Sequence, residues 1–277
     1  MTTPETLTQF SRQGLRFDVH DAGPLDGRPV ILLHGFPQDS SCWQRVTPAL
    51  HKAGLRTLAL DQRGYSPGAS PRPVSAYALP HLVDDVLALA DAAGLDRFHV
   101  VGHDWGGGVA WQLAARAPQR LSSLTVLSTP HPDALVSALP RSDQGRKSWY
   151  MAAFQVPGIP QRVLAPRVGR FLVSAGMTPE LAARYEPRFA TPDSLRGPIN
   201  WYRALLRGGL RDSSPRTISV PTTYVWGSGD VALGRTAAEA TASHVDADYR
   251  FVELDATHWL PEMNPGEVSE AILQRVG

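Results

Sequence analysis

Asp104 stands in the run Gly102-His103-Asp104-Trp105-Gly106, after an apolar stretch at residues 98–101 and before a helical pattern at 105–117. A G-x-X-x-G run between strand and helix makes a turn so tight that the two elements nearly touch, and glycine is needed where a side chain would collide. The residue at X is held out towards a substrate. Serine is the common nucleophile at that place; here it is a carboxylate. Attack by a carboxylate on an acyl carbon gives an anhydride, a poor intermediate. Attack on an alkyl carbon gives an ester that water can then cleave. The adjoining helix N-terminus favours the ionised, attacking form. The same Asp could instead be a helix N-cap, a role for which Asp is well suited.

Three further loops could complete such a site. His34-Gly35-Phe36-Pro37 follows the apolar run at 29–33. A loop there can aim the N–H of Phe36, together with the N–H of Trp105 just after the nucleophile, at a developing oxyanion. Trp226-Gly227-Ser228-Gly229-Asp230 and Asp255-Ala256-Thr257-His258-Trp259 each end an apolar or alternating stretch. Asp104, Asp230 and His258 then fall in the order nucleophile, acid, histidine, each just past a strand's C-terminal end. Asp133, soon after the strand ending near Ser128, is a rival for the acid.

Strand and helix must alternate to place those loops together. A hairpin through Gln13-Gly14 is expected to join 7–11 to 15–21. Residues 29–33 are a continuous apolar run, the pattern of a strand buried on both faces; 56–60 and 98–101 have a similar character, 121–127 reads as another buried strand, and the alternation resumes with 222–226. Residues 249–254 alternate, and a last helix begins at Pro265. Leu82, Val83, Val86, Leu87 and Leu89 repeat with helical period, closed by Gly94 as C-cap. This is an α/β fold with a mostly parallel sheet flanked by helices. The alternation stops at Pro130, and a helical, Pro- and Arg-rich stretch follows. We expect a core domain of residues 1–130 and 216–277, with a helical cap domain of residues 131–215 inserted between two strands.

Composition narrows the partners. The 277 residues carry 27 Lys and Arg against 26 Asp and Glu, a net charge of +1, so no long-range field favours nucleic acid or anionic membrane. A small, mostly neutral ligand is expected. One cysteine, Cys42, excludes an internal disulfide and reads as a packed side chain. The polar start of the chain and the lack of a long apolar stretch predict no signal peptide, no membrane span and a cytoplasmic protein. The histidines outside the motifs, His131 and His244 among them, show no metal-ligand spacing, so no metal site is expected. No G-x-G-x-x-G or GK[ST] run supports a nucleotide. Composition says nothing of the oligomeric state.

The motifs HGFP, DQRGYSPG (61–68), GHDWGG, WGSGD and THW together resemble the α/β-hydrolase superfamily over nearly the whole chain. An Asp at the nucleophile position narrows the likeness to epoxide hydrolases and to haloalkane or haloacid dehalogenases. The segments around Trp149-Tyr150 and Arg196-Gly197-Pro198-Ile199-Asn200-Trp201-Tyr202-Arg203 resemble those that hold the two catalytic tyrosines of epoxide hydrolases. The resemblance therefore implies Tyr150 and Tyr202 as donors to an epoxide oxygen. It also implies an α/β-hydrolase fold, a small apolar epoxide and water as substrates, no cofactor, and a role for His103 in packing or hydrogen bonding at the turn. Ser66-Pro67 departs from the family's usual RGYG loop, so a different entrance is expected. A dehalogenase would use the same ester, but Phe36 stands where a halide-binding Asn is common, and Trp105 where fluoroacetate dehalogenases carry Arg. A non-enzymatic receptor on the same fold is the reading from another class.

Overall fold

Gln13 and Gly14 both take positive φ, +51° and +76°, which closes the two-residue turn between β1 (Gln9–Arg12) and antiparallel β2 (Leu15–Ala22). The computed structural model describes residues 6–207 and 217–277. Six more strands follow: β3 (Arg28–Leu33), β4 (Leu55–Leu60), β5 (Phe98–His103), β6 (Leu121–Leu127), β7 (Thr222–Gly227) and β8 (Tyr249–Leu254). They form one sheet in the order β1-β2-β4-β3-β5-β6-β7-β8. From β4 to β8 every pairing is parallel, and β2 lies antiparallel to β4.

The apolar runs read in the sequence are buried on both faces, as such runs require. Ile31 and Leu33 turn towards α2 (Leu79–Ala92) and α3 (Trp105–Arg116), where Leu82, Val86, Val109 and Leu113 meet them. Val30 and Leu32 turn the other way, to Leu50 of α1 (Thr47–Lys52) and Val268 and Ile272 of α13 (Pro265–Val276). Burying one such side chain contributes roughly 1.5–3 kcal/mol. Gly94, at φ +68°, follows the last turn of α2 as expected.

Chain order reverses at β3. The chain moves from β3 to β4 on one side, then crosses to β5 on the other. The loops after β3 and β5 diverge there, and open α/β sheets bind ligands at such a switch point. HGFP follows β3, and Asp104 follows β5.

Between β6 and β7 the described chain is helical: α4 (Pro132–Ala138), α5 (Gln144–Lys147), α6 (Trp149–Ala153), α7 (Ile159–Leu164), α8 (Val168–Ser174), α9 (Pro179–Ala183) and α10 (Arg196–Arg207). The boundary expected at 215/216 lies outside the described residues. α11 (Arg235–Ala240) and α12 (Leu260–Met263) follow β7 and β8.

Two of the motifs hold α10 over the sheet. The Trp201 indole donates to the Arg63 carbonyl at 2.9 Å. Arg63 itself grips buried Asp85 through two 2.7 Å bonds. Gly64 has φ +89°, and a Cβ added there would lie 2.9 Å from the Gly197 backbone. Ser66, the departure noted above, is buried; its hydroxyl accepts from the Asp18 amide and donates to the Asp61 carbonyl, tying the loop to β2.

Gly64→Ala is therefore expected to destabilise the fold. The left-handed backbone would cost about 1–2 kcal/mol, and the collision with Gly197 about 1–3 kcal/mol. A urea midpoint unchanged from the wild type would contradict this contact.

Candidate active site

β5 ends at His103, and Asp104 turns the chain into α3 with φ +50° and ψ −118°. That backbone is rare for a residue with a side chain and costs on the order of 1–3 kcal/mol. The turn is possible because Gly102 and Gly106 are bare. A Cβ on Gly102 would sit 2.3 Å from the Gly106 carbonyl oxygen, and one on Gly106 2.2 Å from that of Leu33. Thr129 Oγ1 donates to the Asp104 carbonyl at 2.6 Å and braces the turn from β6.

The Asp104 side chain does not cap α3. Its Oδ1 accepts from the Phe36 N–H at 2.7 Å, and its Oδ2 lies 3.4 Å from His258 Nε2. Trp105 is the first residue of α3, so its N–H has no intrahelical acceptor and stays available beside the carboxylate. The two carboxylate oxygens thus have different surroundings: one on a main-chain donor, the other facing the histidine.

His258 Nδ1 is 2.7 Å from Asp230 Oδ2. The other oxygen of Asp230 accepts from the amides of Ala232 and Leu233, at 2.7 and 2.9 Å, which fixes the carboxylate's orientation. Asp133, the alternative acid, lies at the start of α4, where its N–H donates to His131 Nδ1 and its carboxylate is 4.0 Å from the same nitrogen. It does not reach His258.

Burial alone would lower the His258 pKa. The charge of Asp230 and the hydrogen bonds to Asp104 and Asp230 override it and push the imidazole up to about 10. Burial likewise opposes ionisation of Asp104, but the hydrogen bond and charge of His258 and the Phe36 amide hold that carboxyl below its usual range. Both shifts favour the charged pair of His258 and Asp104 over the neutral one.

Tyr150 of α6 and Tyr202 of α10 face the same space from above. Their rings are 5.9 Å apart, and Tyr202 stands edge-on to Trp105 at 4.9 Å. Burial first, then nearby negative charge, raises both phenols, so both remain O–H donors. Two cavities meet at these residues. One, of about 140 Å³, is lined by Leu79, Leu135, Val136, Met151 and Leu233 along with Asp104, Tyr150 and Tyr202. The other, of about 430 Å³, shares those three and adds Phe36, Phe171, Trp259 and His258, with Arg146 and Lys147 on its wall.

Ser128 and Gln38 carried no local signal, whereas His103 was expected to pack or hydrogen-bond at the turn. Ser128 Oγ donates to the His258 carbonyl at 2.8 Å, and His103 Nε2 stands 2.8 Å from the same oxygen. His103 Nδ1 continues to Gln38, 2.9 Å away. Their place at the ends of β5 and β6 was the available hint. The fold also gathers His131, Asp133 and His244, which the sequence spacing does not link; their ligand atoms lie within 4.8 Å of one another. The two imidazoles stack at 4.4 Å and 5°. Rings stacked in parallel aim their lone pairs along parallel planes, so a shared ion would lie out of plane for one of them.

Among the described residues no helix is long and apolar enough to cross a membrane. The alpha/beta hydrolase fold family matches residues 28–265. The AB hydrolase superfamily protein YfhM of Bacillus subtilis is 34% identical over 270 residues, spanning 94% of each chain. Epoxide hydrolase A of Mycobacterium tuberculosis is 33% identical over 303 residues, again 94% of each. Human epoxide hydrolase 4 is 31% identical over 274 residues, 94% of this chain and 75% of its own. Among solved structures, one described as a novel epoxide hydrolase from metagenomes of hot environments superposes with a TM-score of 0.84 at 27% identity, covering 100% of this chain and 99% of its own. Epoxide hydrolase A of Mycobacterium thermoresistibile does so at 0.82 and 26%, covering 99% and 98%. The site geometry and these matches agree, and the chain belongs to the alpha/beta hydrolase fold family, within its epoxide hydrolases.

Proposed function

We propose that this hydrolase converts a small, largely apolar epoxide to a vicinal diol through an ester on Asp104. The observation that carries the reading is the asymmetric seat of Asp104: Oδ1 on the Phe36 amide, Oδ2 towards His258, and two phenols over the same cavity.

Oδ2 attacks one ring carbon, the C–O bond breaks, and the ring oxygen takes a proton with Tyr150 and Tyr202 as donors. The ester so formed is neutral. His258 then loses one of the two carboxylates that hold its proton, so its pKa falls and it can give that proton up to replace the one taken by the alkoxide. Neutral His258, oriented by Asp230, accepts a proton from water, and hydroxide adds to Cγ of Asp104. The oxyanion develops on Oδ1, already seated on the Phe36 N–H, with the Trp105 N–H as second donor. Collapse breaks the Cγ–Oδ2 bond; Oδ2 leaves as the diol's oxygen and takes the proton of the new carboxyl group, so Asp104 is again a carboxylate, now with one water oxygen, and His258 is again protonated. The helical segment carrying both tyrosines acts in this reading as the cap domain over the site. Apolar lining on the smaller cavity supports an apolar substituent there. The single, fully buried Cys42 needs no oxidising compartment, which supports a cytoplasmic location.

The test is single turnover of an aryl or alkyl epoxide in ¹⁸O-water with mass spectrometry of the diol and of the Asp104 peptide. The label should enter the peptide and be absent from the first diol. Label passing directly into the diol would remove the covalent step. Halide release from a haloalkane with no diol formed from any epoxide would make the protein a dehalogenase.

A further inference from the structure

From Gln144 to Pro179 the chain contains no Asp or Glu, yet it carries Arg146, Lys147, Arg162, Arg167 and Arg170. The net charge of +1 is therefore uneven, +5 on this stretch and −4 on the rest of the chain. Among the described residues none of the five cations is paired with a carboxylate. Lys147 Nζ donates to the Asp230 carbonyl and Arg167 to the Val163 carbonyl, both main-chain oxygens. Exposed apolar side chains stand between the charges. Along α7, α8 and the single turn that joins them, Ile159, Arg162, Val163, Arg167, Arg170 and Val173 are exposed, while Leu164, Ala165, Val168 and Leu172 are buried. Steps of three and four residues are helical, so the exposed set shares one outward face. Trp149, at the start of α6, is 69% exposed.

This face borders the mouth of the larger cavity. Arg146, Lys147 and Trp149 line the cavity from one side, and Phe171 and Ser174 of α8 line it from another. Arg146, Trp149 and Ser174 are also exposed, so they mark where the cavity opens. Val231, 53% exposed, adds an apolar side chain to the same rim. The chemistry of the face selects its partner. Cations without carboxylates favour a partner rich in negative charge. Exposed Trp, Ile and Val favour one that also gives apolar groups somewhere to go. A nucleic acid backbone meets only the first need. The headgroup layer of an anionic bilayer meets both, with charge at its surface and acyl chains just beneath. Trp is suited to that boundary, because its ring is apolar and its N–H is polar.

We propose that the carboxylate-free helical face from Arg146 to Ser174 docks the protein on an anionic lipid surface, with the mouth of the larger cavity turned towards the bilayer. The docking goes beyond the proposed reaction. Its use, entry of an apolar epoxide directly from the lipid, rests on that reading. Contact is peripheral and reversible, because the face adds only scattered apolar side chains to its charge. Each Lys or Arg near an anionic leaflet strengthens binding roughly fivefold, and the attraction fades within a Debye length.

The experiment is co-sedimentation of the full chain with vesicles of phosphatidylglycerol and phosphatidylcholine in equal parts, or of phosphatidylcholine alone. The wild type should pellet with the mixed vesicles at low salt, stay in solution with phosphatidylcholine, and be released in 1 M salt, where the Debye length is about 3 Å. The double change Arg162→Gln with Arg170→Gln should weaken binding roughly 25-fold, from two cations lost. Ile159→Ser with Val163→Ser should weaken it with no change of charge. All four side chains are exposed, so melting temperatures should stay at the wild-type value. None of the four lines either cavity, so hydrolysis of a water-soluble epoxide should also stay at the wild-type rate. A long-chain epoxide carried in the mixed vesicles should be hydrolysed faster than one carried in phosphatidylcholine, and both double variants should lose that advantage. No pelleting at low salt, or pelleting that neither double variant reduces, overturns the proposal. So does binding that the serine pair leaves intact, or binding to soluble polyglutamate as tight as to the vesicles, which would make the partner an acidic protein. If the glutamine pair does not fold, salt release and the serine pair decide. Pelleting needs no turnover. Docking with no diol formed from any epoxide would keep the lipid face and remove the Asp104 reaction; diol formation without docking would do the reverse.

Discussion

Replacing His258 with glutamine is expected to turn the protein into a single-use alkylating agent. The first step needs Asp104 and the tyrosines, all still present. The second needs a base at Nε2, and glutamine offers none. Removing one member of a nucleophile–base–acid set commonly costs ~10⁴-fold or more in turnover, because the members act as a unit. Intact mass spectrometry should show one substrate mass added per chain, mapping to the Asp104 peptide. Alkylation itself should slow only modestly. Loss of the imidazolium removes the largest influence that keeps the Asp104 carboxyl low, so that pKa rises and part of the carboxylate is lost at mildly acidic pH. Steady multiple turnover by His258→Gln would show that some other group activates water.

The double change Tyr150→Phe with Tyr202→Phe is expected to abolish the first step. Without a donor the ring oxygen must leave as a free alkoxide in an apolar cavity. General acid assistance is commonly worth ~10²–10⁴-fold, and here both sources are removed. Each single change should cost much less than the square root of the double effect suggests, because the remaining phenol can serve the same oxygen. The rings should keep their places. Tyr202 packs against Phe36 at 5.2 Å and Phe154 at 4.9 Å, and Tyr150 against Phe154 at 5.8 Å, contacts that phenylalanine preserves. The two experiments separate the half-reactions. His258→Gln accumulates ester, whereas the double tyrosine variant accumulates none. Ester formed at wild-type rate in the double variant would remove the tyrosines from the mechanism.

Two features of the site were readable as local sequence. The elbow was readable because its requirement is short-range: an apolar strand, bare positions two residues before and after the nucleophile, and a helix. The strands were readable because burial on both faces demands continuous apolar runs such as 29–33, whose alternate side chains enter the two opposite cores. The order of nucleophile, acid and histidine followed from the same strand ends.

The role of Asp104 was not decided there. Asp at the start of a helix suits a cap or a nucleophile equally well on composition. Backbone angles of +50° and −118° swing its carboxylate off the helix amides and onto Phe36, a residue 68 positions earlier. The acid was undecided for a similar reason. Asp133 and Asp230 both follow strands, and only the curl of the loop after β7, tied by the Ala232 and Leu233 amides, aims one oxygen of Asp230 at His258. The bond from Gln38, the neighbour of His103, to buried Glu262 left no local trace, since the two are 224 residues apart. Turn chemistry and hydrophobic period act over a few residues, so the sequence by itself determined the architecture and the nucleophile's turn. The partners of each charged group depend on packing between distant strand ends, and tertiary structure alone decided which carboxylate meets the Phe36 amide and His258 Nε2, and which one meets His258 Nδ1.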